Sequence, residues 1–75
     1  MRQSDIQANT WYIKKVKPGQ RKLVRYVYSV DVDWVRWADN AVIVVTQGYV
    51  LTQRRFFAIW AEREATIEEV VDELN

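Results

Sequence analysis

The sequence contains no cysteine and no histidine, and these absences remove the usual reinforcements of a short chain. Disulfides need cysteine and ordinary zinc sites need cysteine or histidine, so neither can support a domain of 75 residues. A chain this short buries only about 60% of its unfolded surface. We therefore expect dense apolar packing or association between copies, and the 49% of apolar residues and four tryptophans favour both.

Groups that support catalysis are also scarce. The only serines, Ser4 and Ser29, have no base spaced to activate them. The two glycines are isolated and cannot form a phosphate-binding loop. Asp31 and Asp33 could form a carboxylate pair, but within the alternating pattern their spacing favours the solvated outer face of an amphipathic strand. We predict a non-enzymatic protein with no catalytic residue, no cofactor and no metal site.

Long apolar runs are absent, since no segment approaches the roughly 18 consecutive apolar residues of a membrane span. Residues 1–10 are polar and lack the apolar stretch of a signal peptide. With no cysteine to indicate an oxidising compartment, we expect a cytoplasmic protein without membrane contact. Residues 1–10 are predicted to be a disordered lead-in to a single domain over residues 11–75.

Aromatic and β-branched residues predict several short strands. The first covers residues 11–16 and ends at Pro18 and Gly19, which favour a type II turn because proline presets φ and glycine accepts positive φ. Residues 41–46 are almost all apolar and predict a central strand. Residues 49–51 are expected to pair back with it.

Between these strands, apolar residues alternate from Val24 to Trp34, which predicts one long strand with an inward face. At Trp34 the apolar phase shifts to Val35, which favours a β-bulge or bend near Asp33. A tight turn over residues 29–33 is the alternative. The prediction is a small, bent antiparallel meander of four strands over residues 11–51.

The C-terminal part, residues 53–74, is predicted to be helical. Thr66 and Glu69 match a capping box, in which the side chain of each residue bonds to the backbone N–H of the other. An apolar stripe follows at helical spacing, made of Ile67, Val70, Val71 and Leu74. Whether one helix covers the segment or a break occurs at Thr66 is left open. The fold class is therefore α+β, mainly β, with a C-terminal helix.

The alternation and the helical spacing also predict which residues form the core. The expected core residues are Val24, Tyr26, Val30, Trp34, Val42, Ile43, Val44, Phe56, Ile59, Trp60, Val70 and Val71.

Charge is distributed unevenly along the chain. Residues 1–60 contain ten Lys/Arg and four Asp/Glu, which gives a net charge of +6. Residues 61–75 contain one Arg and six Asp/Glu, which gives a net charge of −5. Clustered cations neutralise phosphates, so an acid-free basic hairpin predicts nucleic-acid binding; the alternative is that its lysines only keep an edge hairpin soluble. The residues of this basic hairpin are Lys14, Lys15, Lys17, Arg21, Lys22 and Arg25.

Aromatic residues are numerous for so small a domain: four tryptophans, four tyrosines and two phenylalanines. A domain of this size cannot bury all of them, and surplus exposed aromatics are typical of interfaces. The predicted partner is nucleic acid or protein, and a homo-oligomer is expected, with the acidic helix against the basic hairpin of a neighbour or capping its own sheet. The candidate interface residues are Trp11, Tyr12, Tyr28 and Trp37.

The order of these features resembles small SH3-like β-barrel proteins. The turn at Pro18 and Gly19, a long bent strand, the run from Trp34 to Trp37, two short strands and a terminal helix are similar to archaeal chromatin proteins of the Sul7 type. Small proteins encoded by phage and mobile gene cassettes resemble this chain in length and in the order of their elements. The resemblance implies a barrel-like sheet and, for the Sul7 type, DNA binding through that sheet. This chain is less basic and carries its acids in the helix, so no binding residues are transferred.

Overall fold

The computed structural model describes residues 1–14, 17–19, 23–39 and 48–74. The predicted strand over residues 41–46 lies outside them, as do Lys15, Arg21 and Lys22 of the basic hairpin. The elements are a 3-10 helix at Gln3–Asp5, β1 at Thr10–Lys14, β2 at Val24–Val30, β3 at Trp34–Ala38, β4 at Val50–Gln53, α1 at Arg54–Trp60, β5 at Ala61–Glu64 and α2 at Ile67–Leu74.

The strands form one antiparallel sheet in the order β4-β3-β2-β1-β5. Over the described residues the sheet is open, with β4 and β5 as its edges, so the predicted barrel-like closure is wrong. The predicted number of four strands is also wrong, because β5 adds a fifth that pairs with β1. The α+β, mainly β, class is confirmed.

The predicted long strand from Val24 to Trp34 is two strands joined by a tight turn. The Asp31 N–H donates to the Trp34 carbonyl at 2.8 Å, which closes the hairpin between β2 and β3. Aspartates favour such turns because their side chains bond to nearby backbone. A bulge does occur, but earlier in the chain, where the pairing register shifts between Val27 and Ser29.

The predicted helical segment over residues 53–74 contains a strand. α1 ends at Trp60, and Ala61 adopts extended dihedrals with φ −77° and ψ 131°. β5 then pairs with β1, where Ile13 lies opposite Arg63. Residues 61–64 are good helix formers, but pairing with β1 satisfies their backbone groups in extended form, and this tertiary contact overrides the local preference.

The core lies between the sheet and α1. Its buried cluster contains Ile6, Tyr12, Val27, Val35, Trp37, Phe57, Ala58 and Ala61. We call the sheet face that packs on α1 the inner face and the opposite one the outer face. α2 contacts β2 and forms a groove with Trp11, whose side chain lies on the face opposite that of its neighbour Tyr12 in the core, so α2 lies against the outer face.

Met1 and Ile6 pack against this core, in contrast to the disordered lead-in predicted for residues 1–10. Ile6 is buried, and the N-terminal amine donates to the carbonyl of Ala58 at 3.1 Å. The Tyr12 hydroxyl donates to the Asp5 carbonyl and accepts from the Gln7 N–H at 2.7 Å. Because the partners of this segment include residues far away in sequence, local polarity at the N-terminus does not reveal the packing.

The predicted core is confirmed in part. Val24 is buried, and the residues that are half-buried are Tyr26, Val30, Trp60 and Val70. Four predicted core residues are exposed instead, namely Trp34, Phe56, Ile59 and Val71. In α1 the reason is helix phase, since Phe57 and Ala58 turn to the sheet and Phe56 and Ile59 turn away. The remaining three, Val42, Ile43 and Val44, lie outside the described residues.

Candidate interaction surfaces

The outer face of the sheet carries a row of three aromatic rings, which we call the aromatic ladder: Trp11, Tyr26 and Tyr28. Trp11 and Tyr26 are partners across β1 and β2, and their ring centroids are 5.3 Å apart. Tyr26 and Tyr28 lie edge to face at 5.0 Å. These distances are within the favourable range for aromatic pairs, so the ladder is a preformed apolar surface with Tyr28 exposed at its end.

One cation lies next to the ladder but is already engaged. Arg36 donates to the carboxylate of Asp31 at 2.9 Å and to the hydroxyl of Ser29 at 3.2 Å. Its guanidinium lies 5.7 Å from the ring centroid of Tyr49. The hydrogen bond from Arg36 to Asp31 raises the pKa of the guanidinium. The positive charge of Arg36 is therefore balanced by a neighbouring carboxylate.

Arg25, predicted as part of the basic hairpin, lies against two indole rings. Its guanidinium carbon is 3.8 Å from the ring centroid of Trp37 and 4.1 Å from that of Trp60. Burial lowers the pKa of Arg25, and the negative charge of Asp39 opposes that shift. Since β2 contributes Arg25 and α1 contributes Trp60, this stack ties the helix to the sheet.

The other described residues of the basic hairpin are Lys14, which is half-buried, and Lys17, which is exposed. Among the predicted interface residues, Trp11 is half-buried and Tyr28 is exposed. Tyr12 and Trp37 differ from the prediction because they are only 2% and 7% exposed and belong to the core. The Trp37 indole N–H donates to the Thr52 hydroxyl at 2.8 Å, which satisfies its polar atom inside the fold.

A groove runs between α2 and the start of β1, and we call it the α2 groove. Its volume is about 340 Å³, and its walls are mainly apolar. Ile67 and Val71 are 80% and 48% exposed, so the predicted apolar stripe of α2 is only partly covered by the sheet. The lining residues are Asn9, Thr10, Trp11, Glu64, Ala65, Ile67, Val70 and Val71.

A second exposed apolar surface lies on α1, on the other side of the sheet. Phe56 and Ile59 are 51% and 68% exposed and are three residues apart, so they are neighbours on the helix surface. The Arg55 guanidinium lies 4.7 Å from the Phe56 ring centroid. We call Arg55, Phe56 and Ile59 the α1 patch; sequence reasoning placed both apolar members in the core, and no local signal distinguished them from Phe57.

The predicted capping box at the start of α2 is confirmed. The Thr66 N–H donates to Glu69 Oε1 at 2.9 Å, and the Glu69 N–H donates to the Thr66 hydroxyl at 3.2 Å. Arg63 adds two bonds to the same carboxylate, at 2.7 and 2.8 Å. These contacts, with Arg63 the largest contributor, lower the pKa of Glu69 to about 2.

Within residues 1–14, 17–19, 23–39 and 48–74, no group of three acidic side chains is placed to hold a metal ion. No helix in this part of the chain is long and apolar enough to cross a membrane. Comparisons with protein families, curated proteins and solved structures give no match to this chain. Kinship with SH3-like barrels therefore stays a prediction.

Proposed function

We propose that the protein is a small, non-enzymatic interaction module that associates with further copies of itself. The observation that carries this proposal is the number of large apolar side chains exposed over the described residues. Ten of them are at least 40% exposed, and they occur on both faces of the sheet. Contiguous exposed apolar surface is typical of interaction sites, because leaving it in water costs free energy that association recovers.

Charge complementarity supports a second copy as the partner. The first 60 residues carry a balance of +6 and the last 15 carry −5. Opposite charges steer two copies together with the acidic end of one towards the basic body of the other. A module of this kind needs no cofactor and no activated side chain.

The proposal predicts concentration-dependent association of the wild-type protein. Light scattering after size exclusion is the measurement, over about 10 µM to about 1 mM, where interfaces of modest area associate. We expect the mass to rise with concentration and to fall again when salt screens the charges. A monomer mass at every concentration in low salt would contradict the proposal.

Nucleic-acid binding is the second candidate function, and the aromatic ladder is the observation that favours it. Bases stack on exposed rings, and each stack contributes about 1–3 kcal/mol. Contacts to phosphate support this function less well, because the guanidinium of Arg25 is stacked on indole rings and that of Arg36 is bound to Asp31. Anisotropy titration of a labelled single-stranded oligonucleotide tests it: salt-sensitive binding that Tyr28→Ala weakens supports this function, and no binding below about 100 µM at low salt contradicts it.

A further inference from the structure

The α1 patch and the α2 groove face opposite sides of the sheet. Phe57 and Ala58 of α1 pack into the core on the inner face, whereas α2 contacts β2 on the outer face. Both surfaces are apolar and exposed, and each has a charged side chain next to it. A surface on each side allows a chain to contact two neighbours at once.

The charges on the two surfaces have opposite sign. Arg55 belongs to the α1 patch and its described hydrogen bond goes to the neutral Oε1 of Gln53 at 2.9 Å, not to a carboxylate. Glu68 is exposed on α2, next to Ile67 and one helical turn from Val71. A cation beside Phe56 and an anion beside the α2 groove would therefore pair if the two surfaces met.

We propose that the α1 patch of one copy docks in the α2 groove of the next, so that the protein assembles head to tail. Phe56 and Ile59 would occupy the groove between Trp11 and Ile67, and Arg55 would reach Glu68. This inference rests on the proposed self-association and specifies its contact. Because the two surfaces lie on opposite sides of the sheet, the contact is not reciprocal, and assembly continues into rings or filaments instead of stopping at a two-fold dimer.

A charge-exchange experiment tests this contact. Arg55→Glu and Glu68→Arg are each expected to weaken association at least about tenfold, because like charges would meet across the contact. An equimolar mixture of the two variants is expected to associate as the wild type does. In the mixture, the carboxylate introduced at position 55 of one copy meets the guanidinium introduced at position 68 of the other, while the native pair forms at the alternate contact. Mass from light scattering is the readout, and circular dichroism checks that each variant is folded.

Glu62→Arg is the matched control, since Glu62 is exposed on β5 and its replacement changes the net charge by the same amount as Glu68→Arg. The control variant should associate as the wild type does, whereas Glu68→Arg alone should not. If the wild type associates and the exchange mixture fails to recover, the proposed contact is overturned while self-association stands. If the wild type is a monomer throughout, both are overturned.

Discussion

Arg25 shows how a single charged side chain can hold two elements together by stacking on aromatic rings. Its planar guanidinium lies within 4.1 Å of the ring centroids of Trp37 and Trp60. A desolvated cation over an aromatic ring contributes about 2 kcal/mol, whereas an exposed one contributes about 0.5–1 kcal/mol. The lowered pKa of Arg25 records the opposing cost of burial.

Replacing Arg25 by lysine is expected to lower the free energy of unfolding by about 1–2 kcal/mol, because a compact ammonium cannot stack on two rings. Urea unfolding followed by tryptophan fluorescence measures the change. Arg36→Lys is the control, since Arg36 lies farther from its ring at 5.7 Å and is engaged by Asp31. Equal losses of unfolding free energy for the two variants would show that stacking of Arg25 on two indole rings does not stabilise the fold.

At the scale of elements, the short helix α2 depends on its N-terminal contacts. Its eight residues are too few for a stable isolated helix, so capping and packing must support it. Thr66 and Glu69 supply the capping box, and Arg63 joins the same carboxylate from β5. Glu69 thus links the end of the sheet to the start of the helix.

The low pKa of Glu69 predicts a pH dependence of stability with a defined sign. The folded state lowers the pKa from 4.5 to about 2, so it binds this proton more weakly than the unfolded state does. The ionised carboxylate of Glu69 therefore stabilises the folded state fully at pH values above its ordinary pKa of 4.5. This stabilisation is lost as the pH falls towards about 2. Glu69→Gln should therefore be less stable than the wild type near neutral pH. This difference in stability should vanish as the pH approaches about 2.

Chemical denaturation at several pH values measures that difference, and carbon NMR of the carboxyl group reports the pKa directly. Glu68→Gln is the matched control, because Glu68 is exposed on the same helical turn and lies outside the capping box. A difference for Glu69→Gln that stays constant down to the lowest pH would contradict the assigned role of the carboxylate.

For the whole molecule, stability depends on the layer between the sheet and α1. Phe57 is fully buried and contacts Tyr12 edge to face at a centroid distance of 5.8 Å and Trp60 at 5.4 Å. A domain of this length has a total stability of about 4–11 kcal/mol, at roughly 0.05–0.15 kcal/mol per residue. One large cavity in this layer would remove much of it.

Phe57→Ala is expected to cost about 3–5 kcal/mol, which should lower the melting temperature strongly. Phe56→Ala on the same helix is the control and should cost far less, because Phe56 is about half-exposed. Thermal unfolding by circular dichroism compares them. Similar melting of the two variants would mean that α1 is rotated about its axis relative to the arrangement described.

The sequence alone determined the properties that depend on neighbouring residues. The period-2 alternation identified β2, the spacing of Thr66 and Glu69 identified the cap of α2, and the missing cysteine and histidine removed disulfides and thiol or imidazole chemistry. Only the tertiary structure decided that residues 61–64 form a strand, since β1 supplies the hydrogen bonds that replace a helix. It also decided that Phe57 is buried and Phe56 exposed, because the phase of a helix against a sheet depends on contacts between residues far apart in the chain.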